Sequence, residues 1–577
     1  MTRALGPRVG MPAEAVLPFT ILAVAWIPVA AIGAIWVGGR SASAITGNGW
    51  AGPAFGWDFA RLLFGGGVRA AWPTLAPVLV WILTATLVAV LLCPTGWVAW
   101  RWRRTQPSPD DPLRSLATLD DVGHLAAPGS IPRAQRLRSS LSGMSPKQID
   151  SRDLGVQLGQ LRTARGEGPM LRASWEDVVL AIMAPRAGKT TSLAIPAVMD
   201  APGAVVATSN KADLWEATAA ARRTRTGARV WVFDPQQVTD VRRTWWWNPL
   251  RGVTSVEEAH RLAGHFVQEV RSEQRGRDFW TSAAQDLLTG LLLAAGVSGR
   301  DLIEVYEWLN DPVITTPVEA LRAAGQHAVA ASLLGRVHGA PETRDGIYET
   351  ARTAAQCLRD DTILAWVSPP SAADAAIAEL DAAVLPVSLD TVFLLSKEGA
   401  GAAAPLVAAL TDRILREATK LAERAGGRLD PPLVVVLDEA ANVCRISDLP
   451  ELYSHFGSRG IAPITILQSY KQGVRVWGDH GMDALWSAST VKLIGAGLDD
   501  ARVAEDVSRL IGDHDVPVRS INHGDRSHGQ TISLRRQRVL PPEDIRALKR
   551  GTALLLTSGA RVASVELCPA HERSPQT

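Results

Sequence analysis

The sequence predicts an α/β fold: a mainly parallel sheet covered on both faces by helices, with an all-helical insertion and two membrane helices ahead of it. Three observations carry that prediction. Apolar, β-prone runs at residues 178–184, 204–208, 230–233, 391–395, 433–437, 463–467 and 491–494 alternate with helical patterns. Parallel strands buried on both faces and joined by helical crossovers read this way. The first run leads straight into Met183-Ala184-Pro185-Arg186-Ala187-Gly188-Lys189-Thr190, a phosphate-binding loop in the strand-loop-helix setting that motif requires. Two charge-free apolar stretches, residues 16–38 and 73–100, are each long enough to cross the ~30 Å hydrocarbon core.

Taken from the N-terminus, residues 1–104 read as a membrane anchor. Trp26, Trp36, Trp72, Trp97 and Trp100 fall mostly near the ends of the two stretches, where amphipathic rings favour the interface. Arg3 and Arg8 precede the first stretch and Arg101-Trp102-Arg103-Arg104 follows the second, so the positive-inside bias predicts a multi-pass anchor with both termini in the cytoplasm. A cleaved signal peptide is the rival for the first stretch, which is too long for an ordinary h-region and lacks a small-residue cleavage site before Arg40. The loop over 39–72 reads as a connector, with packing by Phe59, Leu62, Leu63 and Phe64 as the alternative.

Residues 105–168, punctuated by Pro107-Ser108-Pro109-Asp110-Asp111-Pro112, read as a linker and the start of the cytoplasmic region. The sheet-forming domain is expected over 169–252 and 384–570. Between 253 and 383 the strand signal disappears, and Phe279-Trp280 followed by Ala283, Leu287, Leu288, Leu291 and Leu292 at helical spacing predicts an all-α insertion. Residues 571–577 read as a disordered tail. Net charge is only +2 over 577 residues, which excludes a global field for nucleic acid and leaves local patches or a lined pore. Cys93, Cys357, Cys444 and Cys568 show no paired spacing, so neither a disulfide framework nor a zinc site is expected.

The candidate chemistry is nucleotide hydrolysis. In such a loop the segment Ala184, Pro185, Arg186, Ala187, Gly188, Lys189, Thr190 and Thr191 wraps the phosphates of ATP, Lys189 reaches the β/γ oxygens, and the Thr190 hydroxyl ligates Mg²⁺. Met183 departs from the pattern, standing where glycine is usual for the turn out of the strand. Pro431-Pro432-Leu433-Val434-Val435-Val436-Leu437-Asp438-Glu439 is an apolar strand ending in two carboxylates. Asp438 is placed to help hold hydrated Mg²⁺ and Glu439 to polarise the attacking water; an acidic helix N-cap is the plain alternative. Gln468 ends the 463–467 strand and is a candidate for sensing the γ-phosphate or positioning water. Arg459 is a candidate for neutralising transition-state charge in a neighbouring subunit's site.

These residues resemble the type IV secretion coupling proteins of the TraG/TraD type, most closely their actinobacterial branch. The resemblance rests on the two N-terminal spans, the phosphate loop, Ser209-Asn210-Lys211-Ala212-Asp213-Leu214, Phe233-Asp234-Pro235, Trp247-Asn248-Pro249-Leu250, Leu437-Asp438-Glu439-Ala440-Ala441-Asn442, Asp448-Leu449-Pro450, Ser458-Arg459-Gly460-Ile461 and Gln468-Ser469. It implies a RecA-like P-loop NTPase motor with a cytoplasm-facing all-α insertion and an ATP- and Mg²⁺-dependent homo-hexamer in the bacterial inner membrane. It also implies partners: relaxase-bound single-stranded DNA or the relaxosome, and type IV secretion channel components. Two other readings remain open: a double-stranded DNA translocase of the FtsK type, although 552–566 is strand-like rather than winged-helix, and a non-hydrolysing scaffold suggested by Met183. Trp245-Trp246-Trp247 reads as buried packing rather than base stacking. The basic clusters Arg271, Arg275, Arg277 and Arg535, Arg536, Arg538 read as solvated faces, with a DNA channel as the alternative.

Overall fold

A computed structural model of the chain describes residues 13–105, 111–270, 279–371, 377–524 and 527–572. It divides into two compact units, Met1–Pro109 and Asp110–Thr577.

In the first unit the helices Ala13–Ile45 and Pro77–Thr105 pack against each other. Their approach is close enough to demand glycine: a Cβ on Gly38 would fall 2.1 Å from Thr84 Oγ1, and one on Gly39 would fall 2.2 Å from the Trp72 ring. Among the described residues one stretch, Pro77–Pro94, is long and apolar enough to cross a membrane. The first expected span lies within the helix Ala13–Ile45. The loop over 39–72 is not a plain connector. Its helix Trp57–Ala71 buries Phe59, Val68 and Ala71 with Trp72, Leu75 and Val80 in a small core of its own. Leu63 lines the edge of that core, whereas Leu62 and Phe64 are exposed.

The second unit contains the strands β1 (Val156–Thr163), β2 (Gly166–Ala173), β3 (Val179–Ile182), β4 (Val205–Ser209), β5 (Val230–Phe233), β6 (Trp245–Trp246), β7 (Ala378–Glu379), β8 (Thr391–Leu395), β9 (Leu433–Leu437), β10 (Ile461–Leu467), β11 (Val491–Gly495), β12 (Asp513–Gly524), β13 (Ser527–Arg538), β14 (Thr552–Thr557) and β15 (Ala563–Glu566). An 11-stranded sheet runs β2-β1-β15-β14-β11-β3-β10-β9-β4-β8-β5. From β11 to β5 every neighbouring pair is parallel, and β14, β15, β1 and β2 extend that sheet antiparallel. Every apolar run expected to be a strand is one. Alternation along β3 divides the core, with Leu180 and Ile182 on one face of the sheet and Val179 and Ala181 on the other.

The stretch expected as a linker is folded instead. Its second half forms β1 and β2, and Ile131–Leu137 starts a segment pinned to the sheet domain by Arg138, which pairs with Asp153 at 2.5 Å and Asp430 at 3.3 Å. Asp430 also accepts hydrogen bonds from the Ser139 hydroxyl at 2.8 Å and the Ser140 N–H at 2.7 Å.

Between the short parallel pair β6–β7 the described backbone is helical, from Val256–Val267 to Asp361–Leu364. Its centre is Phe279–Ser298, apolar nearly all round and accordingly buried by its neighbours. These helices share one apolar core with a face of the sheet. They are also tied to it by charge. Asp412, fully buried on the helix Ala404–Arg424, accepts two hydrogen bonds from Arg261 at 2.7 Å and pairs with His265 at 3.2 Å. Burial alone would raise this carboxyl, but the Arg261 and His265 hydrogen bonds outweigh it and hold Asp412 well below the usual carboxylate range. Arg261 also reaches Asp448 at 2.7 Å, a few residues beyond Asp438 and Glu439.

Trp245, Trp246 and Trp247 are buried, and the Trp245 indole donates to the Val232 carbonyl at 2.9 Å, so base stacking is excluded for them. Arg536 and Arg538 sit on β13 and pair with Asp513 at 3.2 Å and Glu505 at 2.6 Å. The cluster Arg271, Arg275 and Arg277 lies outside the described residues.

Candidate nucleotide-binding site

The parallel sheet brings the ends of β3, β4, β8, β9 and β10 to one edge. At that edge the chain leaving β3 is clamped from both sides. Met183 N–H donates to the Leu467 carbonyl at 3.0 Å and Ala184 N–H to the Ala496 carbonyl at 3.2 Å. Met183 is 1% exposed, and its side chain occupies the space above Gly495, where a Cβ would fall 2.6 Å from Met183 Cγ. Gly497 makes the same room for Ala184, at 2.5 Å. The left-handed turns of the loop fall later, on Arg186 (φ 62°) and Gly188 (φ 91°). The absent glycine therefore does not strain the strand exit; the missing side chain is across the groove on Gly495 rather than in the loop.

The helix behind the loop opens with a widened π turn over Thr190–Ala194 and continues through Ile195–Asp200. Its first N–H groups point toward the loop, and Ser192 N–H closes the turn on the Gly188 carbonyl at 2.8 Å. Pro185 and Arg186 are exposed at the loop tip, Ala187 and Lys189 are buried, and the Thr191 hydroxyl caps the Gly188 carbonyl at 3.3 Å.

Five of the side chains singled out in the sequence converge here. Lys189 Nζ donates to Glu439 Oε1. Gln468 Nε2 donates to both Glu439 oxygens, at 2.7 and 2.8 Å, and the Thr190 hydroxyl donates to Asp438 Oδ2 at 3.2 Å. Glu439 holds a left-handed backbone, φ 55°, a conformation that costs a non-glycine residue about 1–3 kcal/mol. Such strain persists where the surrounding contacts over-determine it, and here three side chains do. Burial pushes the Lys189 ammonium down from its ordinary value, partly offset by Asp438, and pushes the Asp438 carboxyl up, partly offset by Lys189 and Thr190. Asp438 Oδ1 is buried with no hydrogen-bond partner among the described residues. A buried carboxylate oxygen of this kind, beside a hydroxyl, suits a hard divalent cation such as Mg²⁺. The residues fit that ion.

Three residues complete the cluster that sequence reasoning had not singled out for it. Glu398, just past β8, accepts from the Asn210 amide at 2.7 Å and the Asn442 amide at 2.8 Å, and Asn442 Nδ2 stands 3.5 Å from Glu439 Oε2. Asn210 and Asn442 follow β4 and β9. Arg459 is not brought to this edge. It precedes β10, whose 7 residues at roughly 3.3 Å each put it about 20 Å away, and it pairs with Glu423 at 3.0 Å. Within one chain it takes no part in the site.

A protein-family model described as the TraM recognition site of TraD and TraG matches residues 432–550. The chain is 23% identical over 391 residues to Protein VirD4 of Agrobacterium fabrum, covering 66% of this chain and 56% of that one. It is 22% identical over 385 residues to the Conjugal transfer protein TraG of the same organism, covering 64% and 57%. The chain thus spans a little over half the length of these curated relatives. In fold it is similar to the plasmid coupling protein TrwB, solved with the non-hydrolysable GTP analogue GDPNP (TM-score 0.51, 18% identity, 70% of this chain and 89% of that one). It is likewise similar to TrwB with ADP and Mg²⁺ (TM-score 0.50, 17% identity, 76% and 94%). The fold is that of a RecA-like P-loop NTPase with a mainly parallel sheet and a helical domain, and the chain is a relative of the type IV coupling proteins VirD4, TraG and TrwB.

Proposed function

We propose that this chain is a membrane-anchored ATPase that recruits a conjugative DNA substrate, relaxase-bound single-stranded DNA, and drives it into a type IV secretion machinery. The observation that carries the reading is the convergence of Lys189, Thr190, Asp438, Glu439 and Gln468 at one sheet edge, in a chain that also holds an apolar helix able to cross a membrane. Lys189 and the loop N–H groups would hold the phosphates of ATP, and Thr190 and Asp438 would hold Mg²⁺, which supplies charge neutralisation for phosphoryl transfer. Glu439 is the base that polarises water. Its Oε1 is held by both Lys189 and Gln468, so moving Lys189 onto phosphate takes the ammonium off that oxygen while Gln468 keeps the carboxylate oriented. TrwB binds GDPNP and ADP with Mg²⁺, and the matched TraM recognition site of TraD and TraG supports a relaxosome-type partner for residues 432–550.

The proposal extends to a homo-hexameric ring in the inner membrane, both termini cytoplasmic, with Arg459 of one subunit facing the loop of the next. Met183 gives no support to a non-hydrolysing scaffold, since it packs against Gly495 without distorting the loop. Lys189→Ala is the test: loss of both ATP turnover and DNA transfer is expected, and a variant that kept both would refute the assignment.

A further inference from the structure

Helix Trp57–Ala71, broken at Gly67 (φ 65°), joins the two long helices of the first unit, and the surface of its part before the break is divided in an unusual way. Residues three, four and seven apart share a face of a helix. Phe59 and Leu63 turn into the small core with Trp72, Leu75 and Val80. Beside them on the wheel, Trp57 and Phe64 continue the apolar arc, yet they are 85% and 82% exposed. Asp58, Arg61 and Gly65 occupy the next arc and are exposed too. Ala60, also buried, lies between the two apolar pairs, so the apolar arc runs on past the part its own unit covers.

The depth of this helix is set by what it packs on. Leu75 and Val80, in its core, flank the first residues of Pro77–Pro94, the stretch apolar enough to cross a membrane. The helix therefore sits where the hydrocarbon ends. Aromatic rings that are apolar in body and polar at one edge favour that zone, and a helix with arginine beside its apolar arc matches the phosphate level above it. Val78, Trp81 and Ile82, on the adjoining turns of the crossing stretch, are exposed apolar residues at the same level.

We propose that Trp57–Ala71 is an interfacial helix whose Trp57–Phe64 side lies in the acyl-headgroup boundary of the bilayer, with Arg61 among the lipid phosphates and Asp58 toward water. This rests on the membrane reading given above. Its occupant is lipid, not a second protein.

The test uses the full chain in phosphatidylethanolamine/phosphatidylglycerol vesicles, with Cys93 and Cys568 replaced by alanine and single nitroxide labels placed at Phe64→Cys, Trp57→Cys, Asp58→Cys and Val90→Cys. Collision with oxygen, which partitions into lipid, is compared with collision with a water-soluble nickel chelate. Labels at 64 and 57 should favour oxygen severalfold, as should the label at 90 in the crossing stretch, while the label at 58 should favour nickel. If 64 and 57 match 58, the face is turned to water and the inference fails. If both are shielded from either reagent, protein covers the face, and it fails in another way. A label at 90 that does not favour oxygen would instead bring down the membrane reading itself.

Discussion

Met183 shows how a motif can be altered at one residue and restored at another. In the usual pattern the small residue is in the loop; here Gly495 supplies the space, and a fully buried methionine fills it. Met183→Gly should therefore not improve the enzyme, as the motif alone suggests, but cost about 2–5 kcal/mol of stability through the lost burial and the cavity, read by denaturant unfolding. Gly495→Ala should be destabilising beside Met183 and much less so beside Met183→Ala, with a coupling of about 0.5–3 kcal/mol in the double-mutant cycle. Additive effects would mean that the two do not touch. Asp438 carries a second prediction. Because burial raises its carboxyl, the protonated form is favoured in the fold down the acid side, and the charged form that a cation needs appears only as pH rises through that raised value. Mg²⁺-nucleotide affinity should then fall about tenfold per pH unit below it, a dependence that calorimetric titration would find absent in Asp438→Asn. The key side chains were legible in the sequence because Asp438, Glu439 and Gln468 stand at the ends of apolar runs and Lys189 and Thr190 close a phosphate-loop motif just after another. Glu398 was not, and Asn210 and Asn442 stood out only within family motifs, because the three come from separate segments after β8, β4 and β9 and meet only through the order in which those strands lie side by side.

At the scale of elements, a buried charge adds to the apolar core that links the helical insertion to the sheet. Asp412 on Ala404–Arg424 is held by Arg261 and His265 of Val256–Val267. Removing Arg261 leaves the buried carboxylate to His265 and to Arg416, 3.3 Å away on its own helix, so Arg261→Ala should cost about 1.5–3 kcal/mol. The pH dependence has a definite sign. The folded carboxyl is depressed, so its stabilisation is present above the ordinary aspartate value and drains away as pH falls toward the depressed one. Thermal unfolding should show this acid loss in the parent and not in Asp412→Asn; an unchanged acid limb would mean the ion pair is not formed. Strands β3, β4, β5, β8, β9, β10 and β11 were readable because burial on both faces leaves continuous apolar runs. β1 and β2 were hidden by Gln157, Gln160, Arg162, Glu167 and Arg172, the polar half of an outer pair, among glycines. β12 and β13 pair only with each other and so carry no core pattern.

On the scale of the whole molecule, one constellation of polar side chains at a sheet edge and a helix long and apolar enough to cross a membrane occur in one chain similar to Protein VirD4 and the Conjugal transfer protein TraG. One span-length apolar stretch, the parallel strands and the helical insertion were each visible as composition. What the sequence could not display was that 111–168 folds onto the sheet, or that Arg459 stands at the opposite end of β10 from the loop over 183–190, paired with Glu423. Under the proposed function, Glu439 turns ATP binding into DNA-linked work. Its most direct test is Mg-ATP turnover by the full chain in lipid vesicles, with and without single-stranded DNA, for the parent and for Glu439→Gln. The account predicts DNA-stimulated turnover in the parent, with the variant binding ATP at similar affinity but turning it over about 10²-fold or more slowly. Equal turnover in the two proteins would contradict it.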